Sequence, residues 1–538
     1  MTGQGTRRLR PRAGVALVAA LLAALVAALL AGAPVGAAAA RAKNTQADAA
    51  VVTTESGPVR GMAGATVRSF LAIPYAAPPV GELRWRPPQP AARWRGLRDA
   101  TKPAPYCPQP PTPYGRASTS EDCLYLNVLT PADANPADRY PVLFWIHGGA
   151  LLVGGSAGYD PSRLVAKGVV VVTTNYRIGM LGFLAHPALS AESPEHASGN
   201  YGLMDQQAAL AWVQRNVARF GGDPDNVTIF GESAGGLSVH SQLASPLAAG
   251  LFERAIVQSG AYSLTQPSLA AAEAAGQAFA TRAGCADQSL GCLRDLPVSS
   301  LLAANTASTV VPDVDGHVLT QSVGAAFASG RFNRVSVIEG SNHDEWRLFV
   351  ASSEAAAGTP LTADRYEAAI AATLGVSAAT AHGLALIYPP GAYASPSVAL
   401  GALGTDAIFA CNARRALRSL VRYVPTYQYE FNDSTAPMRF FKGISFPTGA
   451  YHASEIQYLF DTPDAPVPAT LNAEQSALAD AIVTYWTDFA KTGDPNADSV
   501  PTWPTYDAAA EQLQSLELPA PVTTTGFALD HRCAVWGG

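Results

Sequence analysis

Ser233 stands at the centre of Gly231-Glu232-Ser233-Ala234-Gly235, a G-x-S-x-G pattern. It follows the apolar run Asn226 to Phe230 (NVTIF) and precedes a helical segment, Gly235 to Ala244 (GGLSVHSQLA). A sharp strand-to-helix turn with small neighbours forces its central residue into strained backbone and projects the side chain. The following helix aims its N–H groups and positive dipole end at the same point. A hydroxyl held there is suited to nucleophilic acyl transfer, whereas an ordinary tight turn would use the same glycines only for packing. The strand and helix on either side favour the first reading. Upstream, Trp145-Ile146-His147-Gly148-Gly149-Ala150 also follows an apolar strand and precedes Gly154-Gly155. Acyl transfer creates an oxyanion, and backbone N–H donors in such a loop stabilise it without reorganising. His147 reads as a structural residue.

These residues need a scaffold, and the chain is large enough to build one. It has 538 residues, 36 Lys+Arg against 42 Asp+Glu, 48% hydrophobic residues and only 14% charged ones. Disorder as the dominant state is excluded. The mild acidity, a formal charge of −6, argues against a nucleic-acid partner. Short β-branched runs alternate with helical patterns. Val142 to Ile146, Val169 to Thr174, Val227 to Phe230, Ala255 to Val257, Val335 to Ile338 and Thr426 to Phe431 read as strands. Most are continuously apolar, as strands covered on both faces should be. Ala209, Leu210, Val213, Val217 and Phe220 recur at helical spacing until Gly221-Gly222 ends the helix. The alternation predicts an α/β fold with a mainly parallel sheet wrapped by helices. The Ala-rich stretches 265–310 and 350–420 read as helices added around it. No internal repeat or linker marks a boundary, so one large domain over 41–538 is expected.

The first 40 residues read as a separate piece. Arg7, Arg8, Arg10 and Arg12 form a basic head, Ala13 to Gly32 contains only Ala, Val, Leu and Gly, and small residues follow. This is the pattern of a secretory signal peptide, with an uncleaved anchor as the rival reading. The expected location is therefore secreted, with no stable membrane association if the signal is cleaved. Export makes disulfides the favoured state of Cys107, Cys123, Cys285, Cys292, Cys411 and Cys533. Six cysteines allow 15 pairings. Short loops suggest Cys107–Cys123 and Cys285–Cys292, leaving Cys411–Cys533 to tie down the C-terminus; buried free thiols are the alternative. A zinc reading has little support, since no CxxC pair occurs.

Beyond these features, the chain resembles the type-B carboxylesterases, the cholinesterase-like branch of the α/β-hydrolase fold. The resemblance rests on FLAIPYAAPPVGELRW (Phe70 to Trp85), EDCLYLNV (Glu121 to Val128), WIHGGA (Trp145 to Ala150), NYRIGMLGFL (Asn175 to Leu184), GNYGLMDQQAALAWV (Gly199 to Val213), FGGDPDNVTIFGESAGG (Phe220 to Gly236), YWTDFAKTGDPN (Tyr485 to Asn496) and WPTY (Trp503 to Tyr506). It implies a large mainly parallel central sheet flanked by helices, with helical insertions around the active-site entrance. It implies Glu345 as the acid, in Gly340-Ser341-Asn342-His343-Asp344-Glu345-Trp346, with Asp344 as the adjacent competitor. It implies His452, in His452-Ala453-Ser454-Glu455-Ile456, over His147, His196 and His531. The resulting order, Ser233, Glu345, His452, is that of α/β hydrolases. The implied oxyanion donors are Gly149, Ala150 and Ala234, with Glu232 and Glu455 behind the reacting groups. The family's disulfides agree with the three pairings above.

Three departures stand out. Ala150 replaces the third glycine of the loop, Trp346 replaces the glycine after the acid, and the Cys107–Cys123 loop contains no Trp. The last removes the best reason to expect a quaternary ammonium substrate. The resemblance implies a serine carboxylesterase acting on small-molecule esters through an acyl-enzyme, with no metal or organic cofactor. The alternatives are an esterase specialised for a narrow bulky or long-chain ester, and a non-catalytic binding module of the same fold. Fold alone does not fix the substrate, and the oligomeric state is not legible.

Overall fold

A computed structural model describes residues 50–305 and 310–537. The expected signal peptide lies outside the described residues. Val51–Gly538 forms one compact unit. In chain order its strands are β1 (Val51–Thr53), β2 (Pro58–Arg60), β3 (Met62–Ala63), β4 (Val67–Pro74), β5 (Arg98–Asp99), β6 (Tyr125–Pro131) and β7 (Tyr140–Ile146). They continue with β8 (Val170–Thr174), β9 (Gly222–Glu232), β10 (Arg254–Gln258), β11 (Ser336–Asn342), β12 (Thr426–Phe431), β13 (Leu513–Leu516) and β14 (Val522–Thr524). β1, β2 and β5 form a small sheet, and the other strands form one 11-stranded sheet in the order β14-β13-β12-β11-β10-β9-β7-β8-β6-β4-β3. Its centre, from β8 to β13, is parallel. Both ends turn antiparallel.

Burial explains the sequence pattern. Every residue of β8 and β12 is buried, because helices cover both faces of the sheet. Successive side chains of β7 leave on opposite faces. Val142, Phe144 and Ile146 enter one core with Val172, Leu210 and Val213, while Leu143 and Trp145 enter another with Ile338, Val483 and Trp486. The helix predicted from the spacing runs Tyr201–Asn216, tightens over Val217–Phe220 and stops at Gly221, whose φ is 90°. The Ala-rich stretches form helices, including Leu269–Ala283, Arg347–Ala357, Tyr366–Leu374, Ala378–Ile387 and Cys411–Leu420. Several of the latter pack a separate core around Val350, Tyr366, Ile370 and Leu403.

All six strands expected from apolar runs are present. The flanking strands β4, β6 and β13 carry buried polar residues that interrupt the hydropathy signal. Asn127 on β6 is satisfied by side-chain hydrogen bonds, donating to Thr173 Oγ1 at 2.9 Å and accepting from the Ala72 N–H at 3.0 Å. Gln514 on β13 donates to the Tyr485 hydroxyl at 3.3 Å. The disulfides are Cys107–Cys123, Cys285–Cys292 and Cys411–Cys533, which fits an oxidising compartment. Among the described residues, no single helix is long and apolar enough to cross a membrane.

Candidate active site

The parallel strands bring the motif residues to one edge of the sheet. β9 ends at Glu232, and the helix Ala234–Ala244 begins two residues later. Ser233 is the hinge between them, at φ 56° and ψ −120°. Such backbone costs on the order of 1–3 kcal/mol and persists only where its surroundings enforce it. Here the Ser233 N–H donates to the Gln258 carbonyl at the end of β10, 2.8 Å away. The glycines of the motif are required by close approach. A Cβ on Gly235 would lie 1.9 Å from the Ile146 carbonyl oxygen, and one on Gly231 would lie 2.6 Å from the backbone of Gly235.

The loop after β7 packs on this turn. A Cβ on Gly148 would lie 3.2 Å from the Cβ of Ser233. Gly149, Ala150 and Leu151 all have positive φ, at 104°, 57° and 59°. Gly149 has no substitute there, because a Cβ would meet the Val153 carbonyl at 2.2 Å. Ala150 therefore keeps the left-handed conformation that glycine adopts more easily. The N–H groups of Gly149, Ala150 and Ala234 donate to no described group. His147 is structural, as expected: it is buried, its ring stacks on Tyr176 at 4.4 Å, and its carbonyl accepts from the Tyr176 hydroxyl at 2.7 Å. Burial pulls its pKa down to about 4, so it is neutral.

Glu345 follows β11 and is completely buried. Its Oε1 accepts from the Asn342 N–H at 2.8 Å, and its Oε2 lies 2.5 Å from His452 Nδ1. The competitor Asp344 faces the other way, toward Arg347 at 2.8 Å and the Ala450 N–H at 3.0 Å, where it braces the approach to His452. His452 Nε2 lies 3.1 Å from Glu232 Oε1. The Ser233 hydroxyl, by contrast, makes no hydrogen bond among the described residues. Glu455 is held behind His452 by Asn342 Nδ2 at 2.6 Å and Gln258 Nε2 at 3.1 Å. Of the other histidines weighed against His452, His196 is exposed and His531 belongs to a different cluster.

Burial sets the electrostatics. It pushes Glu232 up to about 8 and, despite the Asn342 hydrogen bond, Glu455 up to about 7. Burial alone would lower His452, but the negative charges of Glu232 and Glu345 lift it to about 9. Burial favours the protonated form of Glu232 and the nearby imidazole favours its ionised form, so near neutral pH Glu232 and His452 compete for one proton. When Glu232 holds it, one of the two charges that raise His452 is gone and the histidine Nε2 is available as a base.

Aromatic rings that the motifs did not flag close in on His452. Phe349 and Phe409 lie 5.2 and 4.9 Å from its ring. Trp346 stacks on Phe349 at 4.4 Å, and Tyr262 reaches Phe409 at 5.6 Å. Phe409 sits in the π-helical turn Thr405–Ala410, a distortion with no signature in the apolar pattern. Gly404, just before it, makes room for Trp346, since a Cβ there would lie 2.2 Å from the indole. On the Glu232 side, Tyr106, Tyr114, Tyr159 and Phe440 line a hollow. Tyr114 comes from the Cys107–Cys123 loop, so that loop delivers an aromatic ring although it lacks Trp.

Comparison with known proteins identifies the family. The chain is 35% identical to a cocaine esterase of Homo sapiens over 90% of each chain. It is 36% identical to a fumonisin B1 esterase of Sphingopyxis macrogoltabida over 85% of each. It is 34% identical to a para-nitrobenzyl esterase of Bacillus subtilis over 88% of this chain and 95% of the relative. The carboxylesterase family matches residues 48–536. With the sheet, the strained serine turn and the family match together, the chain belongs to the carboxylesterase family and is a carboxylic ester hydrolase.

Proposed function

We propose that this chain is an exported serine carboxylesterase that works through an acyl-enzyme on Ser233. The observation that carries the reading is the buried Glu345–His452 pair beside the strained Ser233, with three unpaired N–H groups on the adjoining loop and helix. The reaction requires the Ser233 hydroxyl to reach His452 Nε2. Ser233 then attacks the ester carbonyl while His452 takes its proton and returns it to the leaving alcohol. Glu345 holds the imidazole tautomer and steadies the imidazolium. The N–H groups of Gly149, Ala150 and Ala234 receive the oxyanion, each donor being worth roughly 10²–10³ in turnover. Water repeats the cycle on the acyl-enzyme. Glu232 and Glu455 act through His452 by setting its charge.

The aromatic wall of Phe349, Phe409 and Tyr262 supports esters with a flat or bulky apolar group. The relatives named for cocaine, fumonisin B1 and para-nitrobenzyl esters support the same breadth. The basic-then-apolar N-terminus and the disulfides support export. The test is hydrolysis of p-nitrophenyl esters of graded acyl length by wild type and Ser233→Ala. The expected result is turnover by wild type and none by a folded mutant. A folded Ser233→Ala that still turns over refutes the assignment.

A further inference from the structure

His531 was a competitor for the catalytic histidine in the sequence, and the reaction leaves it unused. It lies at the C-terminal end of the helix Phe527–Asp530, two residues before Cys533. Its Nδ1 meets Asp406 Oδ1 at 2.7 Å and its Nε2 meets Glu430 Oε1 at 2.6 Å. His343, which follows β11, stands over it with ring centres 5.5 Å apart. One ring nitrogen of His343, one of His531 and one carboxylate oxygen of Glu430 all fall within 4.8 Å of one another. None of the three touches His452, whose neighbours are Glu345, Glu232, Phe349 and Phe409.

We propose that His343, Glu430 and His531 bind one divalent transition-metal ion of the zinc class. Two imidazoles and a carboxylate form a donor set suited to zinc and its neighbours and unsuited to calcium or magnesium, which take oxygen ligands. The surroundings are those of a metal-ligating histidine, whose second nitrogen is oriented by a carboxylate. Asp406 does this for His531 and is itself fixed by the Tyr388 hydroxyl at 2.8 Å. Asp344 Oδ1 lies 3.2 Å from His343 Nδ1. Glu430 is anchored on β12, while His343 and His531 come from distant parts of the chain, so the cluster exists only in the folded protein.

Access is built in. The His343 side chain is 41% exposed, whereas those of Glu430 and His531 are 9% and 4% exposed. An ion entering past His343 takes the place of the proton shared between His531 and Glu430, and that proton leaves to solvent. Asp406 keeps the other N–H. The only other cluster of this kind among the described residues, Cys285, Asp287 and Cys292, has its sulfurs bonded to each other.

The test uses the full chain incubated with Zn²⁺ or Co²⁺, dialysed, and analysed for bound metal, with thermal melting in parallel. Wild type and Ser233→Ala are both expected to retain one ion per chain, with a raised melting temperature and, for Co²⁺, the visible absorption of a low-coordinate site. His343→Ala, at a partly exposed position that tolerates truncation, and Glu430→Gln are expected to lose all three signals. Metal retained equally by folded His343→Ala, or no ion retained by wild type at micromolar metal, overturns the proposal. Ser233→Ala keeps this outcome independent of the acyl-enzyme reading.

Discussion

Glu232 Oε1 lies 3.1 Å from His452 Nε2, the nitrogen that receives the Ser233 proton in the proposed mechanism. The residue before the proposed nucleophile is thus a direct electrostatic neighbour of the proposed base. An ionised Glu232 holds a proton on His452, and a protonated Glu232 releases it. The histidine is active only when neutral, so the acid limb of kcat/KM reports this balance. Glu232→Gln removes a negative charge that raises the His452 pKa. The acid limb is therefore expected to move to lower pH in the variant. A pH profile on a p-nitrophenyl ester measures it, and an unchanged or upward-shifted limb counts against the coupling.

A second prediction concerns the aromatic wall. Trp346 stacks on Phe349 and props it against His452. Trp346→Gly removes the prop and widens the space beside the imidazole. Because a methylene in an apolar pocket discriminates by roughly 10–200-fold, the ratio of octanoate to acetate turnover is expected to rise about tenfold. Competition between the two esters at equal concentration gives that ratio directly. A ratio unchanged within twofold would show that the wall does not contact the acyl chain.

How far the sequence anticipated this site follows from what each residue depends on. Ser233 was legible because the elbow needs local small residues that a motif records. Gly149 was legible for the same reason: its conformation is set by Val153, four residues away. Glu345 needed the family resemblance, because nothing local separates it from Asp344; only the fold shows which carboxylate faces His452. Asn342, which braces both Glu345 and Glu455, and Gln258, which also contacts the Ser233 backbone, sit at the ends of β11 and β10. Their roles arise from strand register, which a single sequence does not print. Phe409 was hidden by the π-helical turn, which shifts it off the helical spacing that would have marked its face.

Alkaline stability is a third expectation. Burial would lower His531, but its hydrogen bonds to Asp406 and Glu430 lift it to about 10, above the usual value of 6.5. A group raised on folding stabilises fully below its unfolded pKa and loses that contribution as pH rises through its folded pKa. The metal-free chain, kept in chelator, is therefore expected to lose stability between about pH 6.5 and about pH 10. The loss is on the order of a few kcal/mol for a shift of this direction in a buried group. His531→Gln should be less stable at pH 6 and should show a flatter dependence over that window. Urea midpoints across the pH series make the comparison. Parallel curves for the two proteins would remove His531 from the account.

The disulfides should contribute unequally, because the entropy removed from the unfolded chain grows with the loop closed. Cys411–Cys533 spans 122 residues and Cys285–Cys292 spans 7. Loop closure alone assigns the first about 5 kcal/mol and the second about 2 kcal/mol. The longer bridge also has a local role. Cys411 directly follows the turn that carries Phe409, and Cys533 lies two residues beyond His531. Replacing Cys411 and Cys533 together by Ala is therefore expected to lower the urea midpoint well beyond the Cys285/Cys292 double replacement. It should also depress turnover as the Phe409 wall loosens, while the shorter pair leaves turnover unchanged. Equal midpoints for the two variants would mean that the unfolded chain does not gain the freedom that the loop lengths require.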